Sequence, residues 1–547
     1  FFAPLFYKKA GGVQGRSPWP RAAARGTPLV LTKRRRGWRG DPRRGSPSAG
    51  GLSRPQPLCA GGRICCFTNR HGRGYNVGAM ITHASHKVWH QNRVRQTRSL
   101  TEGNPYSLII RFALPIFLSQ VFQQLYNAAD SVIVGQFLGT DALAAVSSSG
   151  TLIYLMVSFF NGTALGAGVV ISHCFGARDE DGVSRAIHTD LAFGICSGLV
   201  LTVAGVLLTP TFLVWMGTDA EVLPQAIEYF RYYFLGVISV VLYNICTGIM
   251  NAVGDSRRPL FYLIFSSLTN VALDLLFIGV FHWGVWSAAV ATMLAQTMSC
   301  VLCLVHLAKK GSVYSVSLRK IRFHGDMLRR ILRYGMPAGI QNSVIGLANV
   351  IVQTQINSFA KLAMAAYGSQ SKIEGFAFMP ITSFSMAITT FISQNLGAQK
   401  YDRARKGARF GIISAVVLAE LIGVLYYIFA PALIGIFDDN PGVIAYGVQQ
   451  ARTAALFYFL LAFSHSVAAV CRGSGKAFVP MLIMFSVWCV LRVAYIAVVM
   501  RLFGEIGYIY WAYPITWAIS SVIYLFYFLF SDWIHGFDPK VPKAKKA

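Results

Sequence analysis

From Leu108 to about residue 530 the chain is a succession of long apolar stretches, each closed by a short polar turn. Stretches of about 20 apolar residues are what an α-helix needs to cross the hydrocarbon of a bilayer. The pattern predicts twelve spans, at 108–134, 143–172, 188–209, 228–250, 260–281, 284–307, 329–356, 363–393, 409–429, 446–471, 479–501 and 508–530. The expected fold class is therefore an all-α membrane protein. The first apolar stretch is long and no small-residue cleavage site follows it, so no signal peptide is expected.

The spans repeat. Arg111-Phe-Ala-Leu-Pro115 corresponds to Arg333-Tyr-Gly-Met-Pro337 at a shift of 222 residues. Gly176-Ala177 corresponds to Gly397-Ala398, and Gly254 with Pro259 corresponds to Gly475 with Pro480, both at a shift of 221. One offset across three separate landmarks predicts two six-helix lobes of like topology, related by an axis along the membrane normal. The expected division is a lobe over 104–310, a connector at 311–328, a second lobe over 329–533 and a basic tail at 534–547. Twelve spans in two such halves is transporter architecture, which by itself leaves the substrate undecided.

Composition adds a boundary. Across 547 residues 54% are hydrophobic and 13% charged, well below the quarter or so usual for a soluble domain. The net charge of +28 is uneven: residues 1–99 hold 20 Lys and Arg against the single acid Asp41. This leader cannot bury enough apolar surface to fold, so disorder is expected. One reading is an arm for nucleic acid or anionic lipid, carried by Lys33-Arg34-Arg35-Arg36. The other is a non-native leader resembling translated linker, with Met80 as the true start; on that reading no nucleic-acid partner is expected. Of the ten cysteines, Cys59, Cys65 and Cys66 lie in the leader, and the rest sit in or beside apolar segments as small hydrophobes. Cys300 and Cys303, inside a span with no second pair nearby, do not suggest a metal site.

Loop charge predicts orientation. Turns after even-numbered spans carry Arg178, Arg185, Arg257, Arg258, Lys309, Lys310, Arg319, Lys400, Arg403, Arg472 and Lys476, whereas the opposite turns carry Asp141, Asp219, Glu221, Asp438, Asp439 and Glu505, with Lys361 the main basic exception. The positive-inside rule then puts both termini in the cytoplasm of a multi-pass protein of the cell (inner or plasma) membrane.

Charges inside spans demand a reason, because an Asp at the centre of a membrane helix costs about 2.5–3.5 kcal/mol on insertion scales. Asp130 lies roughly 28 Å above Arg111, and Asp274 roughly 22 Å above Pro259, at 1.5 Å per residue. They share a depth within the error of the span ends. Asn270 is one turn below Asp274, and Asn127 three residues before Asp130, so two carboxylates and two carboxamides can converge. Adjacent carboxylates in a low dielectric cannot comfortably both ionise, which makes proton capture possible; the same oxygens suit Na⁺. The blander reading is that each Asp caps a helix break or pairs with a base, but no base is expected at that depth in this lobe. Gln120, Gln123, Gln124 and Tyr126 make span 1 polar enough to line a substrate cavity. Glu374 in span 8 could contact a cationic substrate, or pair with Lys372 or Arg492.

Several motifs in order carry a family resemblance. They are Pro115-Ile-Phe-Leu-Ser-Gln, Asn127-Ala-Ala-Asp130, Gly135-Gln-Phe-Leu-Gly139, Ala167-Gly-Val-Val-Ile-Ser-His-Cys-Phe-Gly176-Ala, Gly254-Asp-Ser-Arg-Arg-Pro259, Asn270-Val-Ala-Leu-Asp274 and Ser393-Gln-Asn-Leu-Gly397-Ala. Residues 104–530 resemble the multidrug and toxic compound extrusion (MATE) transporters of prokaryotic type. The resemblance implies a V-shaped pair of lobes and export of small organic, often cationic, compounds in exchange for H⁺ or Na⁺. It also implies a first-lobe cation site at Asp130, Asn270 and Asp274, no cofactor beyond the coupling ion, and a monomer in the bilayer. One departure stands out. The NorM branch uses acids in spans 7 and 10, where this chain has Gln341, Asn342, Gln353 and Gln355 and no acid. Alternatives are a lipid-linked saccharide flippase of the same superfamily and a major-facilitator carrier, whose loop pattern Gly176-Ala-Arg-Asp-Glu-Asp-Gly182 echoes only faintly. With no HExxH, nucleophile elbow or P-loop, an enzyme is not expected.

Overall fold

The structure, a computed structural model, describes residues 99–215, 221–309, 311–359 and 361–537. The basic leader up to residue 98, with Met80 and its cysteines, lies outside the described residues, as do Asp219, Lys310 and the tail from residue 538 on. Among the described residues every regular element is helical. In chain order these are α1 Pro105–Leu138, α2 Thr140–Gly176, α3 Glu180–Trp215, α4 Leu223–Ala252, α5 Arg257–Asp274 and α6 Trp286–Ala308. The second half follows with α7 Gly325–Asn357, α8 Lys361–Gly397, α9 Tyr401–Gly435, α10 Pro441–Ala455, α11 Tyr458–Gly473, α12 Phe478–Met484, α13 Arg492–Leu502 and α14 Ile506–Phe530. A π-helical turn, Leu275–Val280, continues α5, and a second, Phe485–Leu491, joins α12 to α13.

Nine of these segments are long and apolar enough to cross a membrane, and α10 with α11, bent by 53°, forms a tenth. Together with α2 and α7 they make twelve long segments among the described residues. The expected single span at 446–471 is thus broken, at Leu456–Phe457, where the first half has the unbroken α4. Glu420 of α9 answers the break: its Oε2 accepts the Phe459 N–H at 3.2 Å, replacing a carbonyl acceptor that the bend removes.

The repeat is legible in the backbone. The turn after α2 closes with Ala177 N–H to His173 O and Asp179 N–H to Cys174 O; the turn after α8 closes with Ala398 N–H to Gln394 O and Lys400 N–H to Asn395 O. Arg178 and Gln399 take left-handed φ of 59° and 56° at matching places. Gly254 and Gly475 do so at 90° and 78°, where glycine avoids the Cβ clash of that conformation. These four turns lie at one end of the molecule with the loop arginines and lysines, hereafter the basic end.

Each half has its own apolar core, but α1 belongs to both. Its base (Ile109, Phe112, Ala113, Ile116) packs into the core of the second half, and its far end (Ile133, Val134) into the core of the first. Pro115, buried between them, removes one N–H from the helix ladder at the crossover. The segment before α1 is also tied down. Leu100 is buried; its N–H donates to Gln394 Oε1 at 2.9 Å, and its carbonyl accepts from Asn395 and Arg403. At the other terminus Trp533 and Ile534 are buried in the second core, and Phe537 packs against His173 and Tyr334, so ordered packing continues past the expected boundary at residue 533.

The most extensive joint between the halves is α2 against α7. A Cβ added at Gly162 would run into the Gly339 backbone, and one at Gly166 into Gly335. The two G-x-x-x-G rows therefore meet backbone to backbone, the close approach that small residues permit between membrane helices. Closer to the basic end the same holds for Gly176 against Gln394 O and Gly397 against His173 O, with Ser393 Oγ donating to Val169 O at 2.8 Å. The seam closes the basic end between the halves.

Candidate functional site

α1, α5 and α6 meet around a polar crevice lined by Tyr126, Ser266, Ser267, Asn270, Thr292 and Gln296. Asp274 is the last α-helical residue of α5, where the ladder widens into the π-turn, and it is fully buried. π-turns of this kind are frequent at functional sites because they re-aim the side chains beside them. Asn270, one turn earlier, is 1% exposed. Asp130 of α1 faces Asp274 within reach of one shared proton. The expected convergence of Asp130, Asn270 and Asp274 is therefore present in the structure.

The bonding of these groups is incomplete. No donor reaches Asp130 Oδ1, Asn270 Oδ1 or either carboxyl oxygen of Asp274, although all four atoms are buried. Asn270 Nδ2 donates to Thr292 Oγ1 at 3.4 Å, which orients the amide with its oxygen free. Gln296 Nε2 donates to the Tyr126 hydroxyl at 3.2 Å. Leaving a buried polar atom unpaired costs about 1–3 kcal/mol, and more when it is charged. Four unsatisfied oxygens in one place make a set that a proton between the carboxyls, or a hard cation, would complete.

The other sequence candidates distribute differently. Asn127 is exposed and donates to Gln124 Oε1 at 3.4 Å, so it stands outside the buried oxygen set. Gln123 and Gln124 are exposed, while Gln120 Oε1 accepts from Thr382 of α8 at 2.7 Å and so joins the halves. Tyr126 lines the polar crevice with Asn270, hereafter the carboxyl crevice for the Asp130 and Asp274 pair beside it. Glu374 is half-buried and faces the charge of Arg492, but Arg492 gives its hydrogen bonds to Thr516 Oγ1, at 3.2 and 2.8 Å. The Arg492 guanidinium is stacked over Trp488 and Tyr513, with ring centroids at 5.4 and 4.6 Å. Stacking and a hydroxyl acceptor are how a buried cation is held without a contact ion pair.

Sequence reading missed two participants and one further buried acid. Thr292 and Gln296 stand four apart on α6, a polar pair on one face of an apolar helix, and that spacing was a usable signal. Asp190 of α3 is 2% exposed with no donor on Oδ1, a third buried acid of the first half. Its place ten residues into α3 disguised it as an end-of-helix polar residue.

The MatE family pattern matches this chain twice, over residues 115–276 and 337–498, one copy per half. The chain is a member of the MatE family. The two copies start 222 residues apart, the offset of the repeated Arg-Pro landmarks, and each contains one long-helix set of this fold. Among its relatives, the probable multidrug resistance protein YoeA of Bacillus subtilis (strain 168) is 28% identical over 428 residues, covering 77% of this chain and 92% of that protein. The probable multidrug resistance protein NorM of Thermotoga maritima is 25% identical over 432 residues, 78% of this chain and 92% of that protein. Among solved structures, an outward-facing multidrug resistance MATE family transporter of the MOP superfamily superposes with a TM-score of 0.74 at 22% identity, covering 79% of this chain and 98% of that one. This MatE protein thus has the fold of that group and is a multi-pass membrane transporter, not an enzyme.

Proposed function

We propose that this MatE protein exports small organic, often cationic, compounds by alternating access, driven by inward movement of H⁺ or Na⁺ at Asp130, Asn270 and Asp274. The observation that carries the reading is the set of four buried oxygens without donors, supplied by α1 and α5 together. The names of the relatives as multidrug resistance proteins support an organic substrate. The lysines and arginines gathered there support a cytoplasmic side for the basic end, in an inner or plasma membrane. On this reading the glycine seam is the closed cytoplasmic gate.

A coupling ion shifts a conformational balance only by its different affinity for the two states. α1 supplies a route for that difference. Its far end carries Asp130 in the first core and its base is packed in the second, so a proton or Na⁺ that draws Asp130 to Asp274 shifts α1 against the other half. Half-buried Glu374 and the exposed amides of Gln123 and Gln124 are the substrate contacts in this scheme, with Gln120 bridging to Thr382. The transporter acts as a monomer, with no cofactor beyond the coupling ion and no nucleic-acid partner.

The test is dye efflux from proteoliposomes under separately imposed proton and sodium gradients. Asp274→Asn should lower gradient-driven efflux by about tenfold or more, leaving dye binding without a gradient in place. Full efflux with full ion coupling in Asp274→Asn would refute the assignment.

A further inference from the structure

At the basic end, apart from the carboxyl crevice, lies a cavity of about 630 Å³ whose walls include Arg111, Arg257, Arg258, Leu108, Phe112 and Tyr314. That is the size of a small-molecule site. Its charges are not neutralised from within. Among the described residues Asp255 is the one acid on its wall, and it is paired to Arg258 at 2.6 Å. Arg111 and Arg257 are exposed and make no hydrogen bond or ion pair among the described residues.

The backbone adds to the same polarity. α5 begins at Arg257, and Ser256, which could have capped it, instead gives its hydroxyl to Phe112 O at 3.0 Å. Only Asp255 Oδ1 approaches the first turn, at 3.4 Å from Arg258 N. A helix N-terminus left largely uncapped beside two free guanidiniums favours an anion. Tyr314 is buried, and its oxygen accepts from Arg258 Nη1 at 3.4 Å, which leaves its own O–H to donate. Burial pushes the Tyr314 phenol up, so that proton is retained at neutral pH. Leu108 and Phe112 give the opposite wall an apolar character.

We infer that this cavity binds a phosphate-bearing anion, held by Arg111 and Arg257 with Arg258 and Tyr314, and that its mixed walls suit the phosphodiester of an anionic phospholipid. Guanidiniums match phosphate oxygens bidentately, and the apolar wall takes the start of an acyl chain. The anion would bridge two structures. Arg111 sits on the α1 base, which is packed in the second core, whereas Arg257 and Arg258 open α5 of the first half. α1 and α5 are also the helices that carry Asp130 and Asp274. A bound phosphate therefore ties together the feet of the two helices whose far ends meet at the carboxyl pair.

The experiment uses the purified full chain in neutral detergent. Its melting temperature is read with added dioleoylphosphatidylglycerol, dioleoylphosphatidylcholine, or glycerol 3-phosphate. The anionic lipid should raise the melting temperature by several degrees, and the zwitterionic lipid should not. In Arg111→Gln/Arg257→Gln the apparent affinity for phosphatidylglycerol should weaken about tenfold or more. Arg319→Gln/Lys320→Gln, on the exposed connector of the same end, should keep the wild-type response. If the double variant does not fold, Arg257→Gln alone carries the comparison. A shift of the same arginine dependence with glycerol 3-phosphate, and none with the lipid, would identify a soluble phosphate ester as the source and uphold the site. No shift with any probe, or an undiminished shift in the arginine variants, overturns it.

Discussion

On the proposed function Asp130 and Asp274 act as one unit, because each supplies part of an oxygen set that neither helix holds alone. Their removal should therefore be strongly non-additive. If Asp130→Asn and Asp274→Asn each lower efflux about tenfold, the double variant should be only a few-fold worse, not a hundredfold. Initial rates in one series of proteoliposomes check this, and independent, multiplying losses would count against a shared site. Asp130, Asn270 and Asp274 were legible in the sequence because a carboxylate in an apolar span has few structural excuses. Asn127 was not separable from them: it shares a helical face with Asp130 by spacing, but the structure leaves it exposed and bonded to Gln124. Glu374 and Arg492 lie within each other's field, yet Arg492 turns to Thr516, a choice set by side-chain packing and invisible to spacing.

Among the elements, the broken α10–α11 span is where the second half departs from the first. Its N–H at Phe459 is held by Glu420, an acid whose presence in a span otherwise lacks a purpose. Glu420→Ala should lower stability by about 0.5–1.5 kcal/mol, the worth of one hydrogen bond, with efflux retained. Thermal melting in detergent checks it; an unchanged melt, or a collapse of efflux at unchanged stability, would assign Glu420 another role. α1 is the second informative element. Its apolar pattern predicts a span, but not that one helix would have its base in one core and its far end in the other. That follows from how six helices on each side close around it.

For the molecule as a whole, the glycine seam decides which end is closed. Gly166 and Gly335 have no room for a side chain, so Gly335→Leu should force α2 and α7 apart at the basic end. Spin labels at positions 181 and 406, on the two halves, should separate by roughly 5 Å or more, a movement on the scale of helix shifts in switching proteins. Efflux should fall with it, while the carboxyl crevice stays assembled. An unchanged label distance in a folded variant would show that the seam yields locally and is not the gate. At this scale the 221-residue offset between halves was readable from a few motifs, and the structure reproduces it turn by turn, down to matching left-handed residues at Arg178 and Gln399.

By itself the sequence determined the long apolar segments, the two-half plan and the charged end. These properties depend on local composition: apolar length sets a span, glycine at positive φ sets a turn, and loop lysines and arginines set an end. Tertiary structure alone decided which polar atoms go unpaired, which glycines touch across the halves, and that Arg111 faces Arg257 and Arg258 around one cavity. Each of these is a relation between residues far apart in the chain, and only packing brings them within a few ångströms.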